Sequence, residues 1–258
     1  MSRRGTALVT GGGLRLGRAL AVGLAEFGYR IALHFNASRD EAEATAGEIR
    51  RQGGTCLLFA ADFRDDEQIL DLPTRVAAQC TDLNLLVNNA SVYAPGTLAE
   101  TSAQALDETL QINFKAPFLL IQRFAAVCDA GQVINLADAK TAFNQFPYAA
   151  YILSKRALLD LTRLAAVELA PRIRVNAVSP GVILPPASRT PEYLEWRRQA
   201  LPLQRFGQPR HVLHAVRFLI ENDFVTGACI PVDGGEIQSV EGRNTASFSR
   251  RRGEGPDG

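Results

Sequence analysis

The segment Thr6-Ala7-Leu8-Val9-Thr10-Gly11-Gly12-Gly13-Leu14-Arg15-Leu16-Gly17 decides the fold of this chain. Its first five residues form an apolar, β-rich run, three glycines follow, and a helical pattern then extends from Arg18 to Phe27. Glycine lets the backbone turn sharply and lie close to a pyrophosphate held at a helix N-terminus. Because glycine clusters also occur in ordinary strand-to-helix turns, this segment needs support from elsewhere before it indicates a nucleotide site.

Six further apolar runs alternate with helix-like segments along the chain. Together the seven runs are Thr6–Thr10, Tyr29–Phe35, Thr55–Ala60, Leu83–Val87, Gln132–Leu136, Arg172–Val178 and Ala228–Val232. Seven strands that alternate with helices predict an α/β protein with a mostly parallel sheet and helices on both faces. Ligands of such sheets bind beyond the carboxyl ends of the strands, where the direction of winding reverses.

Composition limits the organisation and the partners of the chain. Its 258 residues, 47% of them hydrophobic, provide for one large core, and no repeat or linker interrupts residues 1–237. We therefore expect a single domain over 1–237 and a flexible tail over 238–258, where apolar residues become scarce. The net charge of +1 and the lack of a long apolar run predict neither nucleic-acid nor membrane binding, which leaves a small-molecule partner.

Cysteine and histidine usage argues against disulfide and metal sites. The four cysteines lie far apart with no Cys-x-x-Cys pair, as expected for buried apolar residues in a reducing, cytoplasmic setting. His211 and His214 are three residues apart on a predicted helix, but no third ligand has suitable spacing. We therefore expect no bound metal.

Polar residues at other strand ends strengthen the nucleotide interpretation. Asp62 follows the third strand, where a carboxylate can accept a hydrogen bond from an adenine amino group, and Asn88-Asn89-Ala90 closes the fourth. Together with the glycine turn they predict a nucleotide site. Its candidate residues here are Gly11, Arg15, Leu16, Asp62, Asn89 and Ala90.

The end of the second strand distinguishes the two nicotinamide dinucleotides. NAD-binding proteins place an Asp or Glu there to hold the ribose 2′-hydroxyl. This chain instead reads His34-Phe35-Asn36-Ala37-Ser38-Arg39, without a carboxylate that would repel a 2′-phosphate. Ser38 and Arg39 can donate to that phosphate, with Arg15 close in the fold, so the sequence favours NADP(H). The competing interpretation is a solvated Arg39 that pairs with Glu43 at i+4.

Tyr151 and Lys155 form the candidate catalytic pair. They are spaced i, i+4 at the start of a helical pattern, so both side chains project from one face. An ammonium group beside a phenol lowers the pKa of the phenol, which would make Tyr151 a usable proton donor. Such pairs also occur by chance on surface helices. Here the pair follows a strand whose end carries Asp138, which places it at the ligand edge of the sheet.

From Thr6 to Gly235 the chain resembles the short-chain dehydrogenases/reductases. The matching pieces, in order, are Thr10-Gly11 through Gly17, Asp62, Asn88-Asn89-Ala90, Asn113, Tyr151 with Lys155, Pro180-Gly181 and Val232-Asp233-Gly234-Gly235. The resemblance implies a single Rossmann-type doubly wound domain with a seven-stranded parallel sheet, usually in a homotetramer. It also implies a relay in which Asn113 holds a water, Lys155 binds the nicotinamide ribose and Tyr151 donates the proton, with Pro180 and Gly181 beside the cofactor.

Two positions depart from the general family pattern. Arg15 stands where most members have Gly or Ala, and Asp138 stands thirteen residues before Tyr151, where most have a catalytic serine. An ionised Asp138 would repel the alkoxide that develops during ketone reduction. A carboxylate suits a substrate that must receive a proton on a ring nitrogen.

Both departures resemble the pteridine reductases and the related dihydromonapterin reductases. That resemblance implies a pterin site formed by Arg15, Ser91 and Tyr93 with Asp138 and Tyr151, in which the Tyr93 ring sandwiches the pterin against the nicotinamide. Tyr93 could instead simply pack the loop after the fourth strand. In this subfamily an Arg usually precedes the serine of the second-strand motif, whereas Ala37 precedes Ser38, so the 2′-phosphate contact is expected to pass to Arg39.

Residues 182–202 fall where these reductases place a mobile substrate loop. Trp196 in this loop either faces the substrate or anchors the loop's helix to the core. The leading hypothesis is an NADPH-dependent reductase of a dihydropterin such as dihydromonapterin or dihydrobiopterin, or of dihydrofolate. The alternatives are a general NADPH-dependent carbonyl or quinone reductase of the same family and a non-catalytic NADP-binding redox sensor.

Overall fold

A computed structural model describes residues 4–144, 146–186, 189–239 and 247–248. Its strands are β1 (Thr6–Val9), β2 (Arg30–Phe35), β3 (Cys56–Ala60), β4 (Leu83–Asn88), β5 (Gly131–Leu136), β6 (Ile173–Pro180) and β7 (Cys229–Val232). All pair in parallel in one sheet of order β3-β2-β1-β4-β5-β6-β7. This arrangement confirms the predicted seven-stranded, doubly wound fold.

Helices connect the strands and cover both faces of the sheet. They are α1 (Arg15–Glu26), α2 (Arg39–Arg51), α3 (Asp66–Gln79), α4 (Ala103–Leu110), α5 (Ala116–Val127), α6 (Ala149–Glu168), α7 (Pro191–Gln199) and α8 (Pro209–Glu221). A π-helical turn, Gln111–Lys115, joins α4 to α5. The α6 helix begins two residues before Tyr151, so Tyr151 and Lys155 both lie on it, as predicted.

Two apolar layers, one on each face of the sheet, hold the helices in place. One layer includes Leu8 and Leu86 with Phe124 of α5, and the other includes Val9 and Leu33 with Leu20 of α1. Strands covered on both faces carry near-continuous apolar runs, which is why their burial shows no alternation in β1. No helix in the described part of the chain is long and apolar enough to cross a membrane.

The sheet reverses its winding between β1 and β4. Chain connections leave β1 towards β2 and β3 on one side and continue from β4 towards β7 on the other. The carboxyl ends of β1, β4 and β5 therefore open onto a crevice where ligands of such sheets bind. The glycine turn follows β1, Asn88 ends β4, and Asp138 lies two residues beyond β5.

The predicted flexible tail lies largely outside the described residues, because 240–246 and 249–258 are not among them. Phe248 is described, and its ring contacts Trp196 and Tyr193 of α7 at centroid distances of 5.2 and 5.5 Å. Trp196 is buried. These contacts favour its role as an anchor of the helix within the loop 182–202.

Candidate active site

A cavity of about 760 Å³ runs along the carboxyl ends of the strands, from the glycine turn to α7. It brings together most of the predicted site residues: Gly11, Arg15, Leu16, His34, Asn36, Ser38, Asp62, Asn89, Ala90, Ser91, Tyr93, Asp138, Tyr151, Lys155, Pro180 and Gly181. Arg39 and Asn113 are not among the residues that line it. The cavity therefore joins the predicted cofactor end to the predicted catalytic end in one continuous space.

The glycine turn has the shape of a pyrophosphate cradle. Gly11 has φ +61°, and a Cβ on Gly17 would overlap the carbonyl oxygen of Gly11 and lie 2.6 Å from Asn89 Nδ2. Helix α1 starts directly after the turn, and its N-cap residue Leu14 provides no side-chain hydrogen bond. The first N–H groups of α1 thus keep their capacity to bind an anion. These features fit the pyrophosphate of a dinucleotide.

Thr10 and Asn89 fix the glycine turn to the end of β4. The hydroxyl of Thr10 accepts hydrogen bonds from the backbone N–H groups of Asn89 and Ala90, at 2.9 and 3.0 Å. The Asn89 amide in return donates to the carbonyl oxygens of Thr10 and Gly11, at 2.9 and 3.1 Å. This reciprocal set holds two walls of the cavity in register.

His34, at the end of β2, supports the glycine turn through a hydrogen bond to Gly11. Its Nδ1 accepts from the Gly11 N–H at 3.1 Å, its Nε2 lies 3.0 Å from the Ala61 carbonyl oxygen, and its ring stacks on Phe63 at 4.2 Å. Burial lowers the pKa of His34 to about 4, so the imidazole is neutral near pH 7. Its buried side chain positions Gly11.

Arg15 and Arg39, the two arginines expected at the 2′-phosphate, each contact another group of the protein. Arg39 lies 3.8 Å from Glu43 in an exposed i, i+4 ion pair, as the competing interpretation proposed. Arg15 donates instead to the carbonyl oxygen of Leu184 in the substrate loop. Both guanidinium groups thus have protein partners in this conformation, and their contact with a 2′-phosphate stays a prediction.

Arg64 lines the same end of the cavity and was missed by sequence reasoning. It donates to Glu108 at 2.7 Å and faces Asp62, whose carboxylate accepts its backbone N–H at 2.9 Å. Arg64 stands two residues after the recognised Asp62, and that proximity was the available signal. Asn36, Ser38 and Asp62 line the cavity together with Arg64.

Tyr151 and Asp138 form the centre of the candidate site. The hydroxyl of the buried Tyr151 donates to Asp138 Oδ2 at 2.7 Å, while Asp138 Oδ1 accepts the backbone N–H of Lys140 at 2.8 Å. Burial, followed by the negative charge and hydrogen bond of Asp138, raises the pKa of Tyr151 well above its usual value. The expectation that Lys155 lowers this pKa is therefore wrong in this arrangement, since the carboxylate is the nearer charge.

Lys155 lies on the same face of α6, as the spacing predicts. Its ammonium donates to the Leu136 carbonyl oxygen at 2.8 Å and lies 5.9 Å from the centroid of the Tyr151 ring. Burial lowers the pKa of Lys155 to about 8, and Asp138 acts in the opposite direction. The group therefore combines a titratable cation with a fixed position beside Tyr151.

Asn113 sits in the π-helical turn, and its side chain is fully engaged. It accepts from Ser91 Oγ at 3.0 Å and from the Val92 N–H at 2.9 Å, and it donates to the Val92 carbonyl and Ser154 Oγ at 2.9 and 3.1 Å. The expectation that Asn113 holds a water stays a prediction, and these four hydrogen bonds leave its backbone as the part of the residue that could do so. Asn113 instead ties the loop after β4 to α6, and Ser91 is held at the cavity by that contact.

Tyr93 packs against the other tyrosines of the cavity. Its ring stacks on Tyr148 at a centroid distance of 4.5 Å and meets Tyr151 edge-on at 4.6 Å. The Lys140 ammonium donates to its hydroxyl. Tyr93 thus both packs the loop, as one interpretation held, and lines the cavity, as the other required.

Described residues of the segment 182–202 line the far end of the cavity. Within this segment, α7 begins at Pro191, and the buried Arg197 of that helix pairs with Glu236 at 2.7 Å. Burial raises the pKa of Glu236, and Arg197 opposes the shift. Lys140, Tyr148, Arg197 and Glu236 all line the cavity and were missed, because only the tertiary structure brings these distant segments together.

Comparison with known proteins agrees with this geometry. A family model described as enoyl-(acyl carrier protein) reductase matches residues 14–236. The chain belongs to the short-chain dehydrogenase/reductase family. That membership confirms the family, the fold and the nicotinamide cofactor, NADP(H), expected from sequence.

The relatives of this short-chain dehydrogenase/reductase include proteins with two different activities. The 3-oxoacyl-[acyl-carrier-protein] reductase FabG of Staphylococcus aureus is 34% identical over 238 residues, which cover 89% of this chain and 97% of the relative. The structure of FolM alternative dihydrofolate reductase 1 from Brucella suis, in complex with NADP, is also 34% identical. It matches with a TM-score of 0.88 over 94% of this chain and 98% of that one. The Brucella canis FolM, also complexed with NADP, has the same TM-score and identity.

Proposed function

We propose that this protein is an NADPH-dependent pteridine reductase that acts on a dihydropterin such as dihydromonapterin or dihydrobiopterin, or on dihydrofolate. The observation that carries this proposal is the 2.7 Å hydrogen bond from Tyr151 to Asp138. The resemblance implies a serine at the Asp138 position in most family members, where a hydroxyl helps to hold a carbonyl oxygen. A carboxylate there changes which charge the site favours on the substrate.

The charge of Asp138 suits protonation of a ring nitrogen. Reduction of a C=N bond adds hydride to carbon and a proton to nitrogen, and a nearby carboxylate stabilises the positive charge of the protonated nitrogen. An alkoxide formed from a ketone would instead be repelled. NADPH supplies the hydride when it is bound. The Tyr151 hydroxyl is protonated at neutral pH and is the candidate proton donor, although burial and Asp138 raise its pKa and so weaken it as an acid.

The residues around the pair would hold the two ligands in sequence along the cavity. The α1 N-terminus and the glycine turn receive the pyrophosphate, Asp62 and Ser38 face the adenosine, and Lys155 faces the nicotinamide ribose. Arg15, Ser91 and Tyr93 lie on the substrate side with Asp138. The FolM structures from two Brucella species, which are complexed with NADP, support NADP(H) as the cofactor.

A second candidate function is reduction of a 3-oxoacyl thioester. It is favoured by FabG of Staphylococcus aureus, which is as similar in sequence to this chain as the FolM proteins are. A redox sensor without catalysis is less well supported, because cofactor binding alone does not require the buried arrangement of Tyr151, Lys155 and Asp138. The position of Asp138 favours the pterin over the thioester.

The deciding experiment measures NADPH oxidation by the wild-type protein with dihydrobiopterin, dihydromonapterin, dihydrofolate, acetoacetyl-coenzyme A and a panel of diketones. The proposal predicts the highest kcat/KM for a dihydropterin or dihydrofolate. Turnover of the thioester or of diketones with none of the pteridines would overturn it.

We further propose that the protein assembles as a homotetramer through α5 and α6. These helices expose Phe118, Leu153, Leu164 and Val167, of which Val167 is 83% exposed. Leu164 and Val167 are three residues apart on α6 and so share one face, and contiguous exposed apolar faces mark protein interfaces. Sedimentation equilibrium tests this proposal, and a monomeric mass at micromolar concentration would contradict it.

A further inference from the structure

Lys140 is a cation in the cavity wall that the proposed chemistry does not use. It lies in the turn Ala139–Ala142, two residues beyond Asp138, and its ammonium donates to the hydroxyl of Tyr93. The same ammonium lies 4.6 Å from the ring centroids of both Tyr93 and Tyr148. Within the described part of the chain, no carboxylate lies within 4 Å of it. Burial lowers the pKa of Lys140, so its charge is kept at a cost in solvation.

Two arginines lie on the same side of the cavity. Arg189 stacks on the ring of Tyr193 at 5.2 Å and has no ion-pair partner among the described residues. Arg197 shares its charge with Glu236, whose turn packs against the turn that carries Lys140. Considering only described residues, Arg197 Nη1 is buried without a hydrogen-bond partner. The far end of the cavity therefore has more positive charge than its own carboxylates neutralise.

Asp138 and Glu236 favour the charged form of Lys140 from a distance, but neither forms an ion pair with it. An ammonium between two aromatic rings gains about 0.5–2 kcal/mol from them, and a neutral side chain would fill the same space without losing hydration. The position instead suits a group that arrives with the substrate. An anionic group of the substrate beside Lys140 would form the ion pair that no described carboxylate of the protein forms with it.

We infer that Lys140, with Arg189 in the same cavity wall, forms a subsite for an anionic substituent of the substrate, a carboxylate or a phosphate carried beyond the reacting ring. This inference rests on the proposed function, for which it favours a pteridine with an acidic side chain, such as dihydrofolate, over one with a neutral side chain. Lys140 is then a specificity-determining residue. Asp138 and Tyr151 act on the ring itself.

The test compares kcat/KM for dihydrofolate and for dihydrobiopterin, whose side chain is neutral, in the wild type and in Lys140→Met. Loss of an ionic hydrogen bond lowers the dihydrofolate-to-dihydrobiopterin ratio about tenfold or more, mainly through the KM of dihydrofolate. Any effect transmitted through Tyr93 changes both substrates and cancels in the ratio. Lys140→Arg keeps the charge and retains most of the ratio.

Lys115→Met is the matched control, because Lys115 lies outside the cavity and pairs with Asp66 on the surface. It leaves the ratio unchanged. An equal fall for both pteridines in Lys140→Met would overturn the subsite and leave Lys140 as a support for Tyr93. Calorimetric titration of folate and biopterin into the NADP⁺ complex gives a second readout, in which Lys140→Met weakens only folate.

A further pair of substrates distinguishes a carboxylate from a phosphate as the anionic group that binds at Lys140. Acetoacetyl-coenzyme A carries phosphates, and ethyl acetoacetate presents a similar ketone without charge. If the wild type reduces acetoacetyl-coenzyme A and ethyl acetoacetate but no pteridine, the proposed function fails. The anionic subsite still stands if Lys140→Met lowers kcat/KM for the thioester alone. Equal effects on the charged and uncharged ketone, with no pteridine turnover, would overturn both.

Discussion

Replacement of Asp138 by Asn perturbs the site with little change of volume. The variant keeps an acceptor for the Tyr151 hydroxyl but removes the negative charge that faces the substrate. In the structure that charge accepts a 2.7 Å hydrogen bond, and hydrogen bonds to charged groups contribute about 1.5–3 kcal/mol. If this energy acts on the protonated ring nitrogen in the transition state, kcat for a dihydropterin falls about 10- to 100-fold.

NADPH oxidation at saturating dihydropterin measures this loss, and fluorescence titration measures NADPH binding. Binding should change by less than about twofold, because Asp138 lies away from the glycine turn. Asp160→Asn is the matched control, since Asp160 is an exposed residue of α6 that pairs with Arg163. Equal losses in turnover and in NADPH affinity would remove Asp138 from the chemistry, as would an unchanged kcat.

Three further predictions follow from the cofactor end and from Lys155. The wild-type kcat/KM with NADH is at least about tenfold lower than with NADPH. Ser38→Asp removes this preference because it places a carboxylate at the 2′-phosphate. Equal kcat/KM of the wild type with NADH and NADPH refutes the prediction. Activity falls as the pH rises through about 8, where Lys155 loses its charge. In Asp138→Asn this fall in activity moves to lower pH, because Asp138 raises the pKa of Lys155. A profile of kcat/KM against pH that is flat to pH 10 contradicts the prediction. Gly17→Ala prevents NADPH binding in calorimetry because its Cβ overlaps Gly11, and wild-type affinity would show that the turn adapts.

Sequence periodicity was sufficient for the sheet and for the placement of the catalytic end. The strands are long apolar runs buried on both faces, so their signal survives without tertiary information. Asp138 follows β5 and Tyr151 lies in the first turn of α6, so both were predicted at one edge of a parallel sheet. The contact between them was therefore accessible from topology together with spacing.

Side-chain partners were predicted less well, because several groups compete for each polar atom. Arg39 pairs with Glu43 one helical turn away instead of reaching the cavity. Lys155 donates to the carbonyl of Leu136, which leaves Asp138 as the charge that controls the pKa of Tyr151. Such choices depend on loop geometry at a scale of about 1 Å, which periodicity does not specify.

Asn113 shows how an irregular turn redirects a recognised residue. The π-helical segment Gln111–Lys115 turns its amide towards Val92 and Ser154, where four hydrogen bonds engage it. Short π-helical insertions have no strong sequence pattern and are common at functional sites. The sequence therefore identified the position of Asn113 but not the hydrogen-bond partners of its side chain.

Transfer of deuterium from C4-deuterated NADPH tests the central claim most directly. The wild-type protein receives a dihydropterin and acetoacetyl-coenzyme A together, at equal concentration, and both products are analysed by mass spectrometry. Our account predicts one deuterium on the reduced pteridine ring and little label in the hydroxyacyl thioester. Label confined to the thioester, with the dihydropterin recovered unchanged, would contradict it.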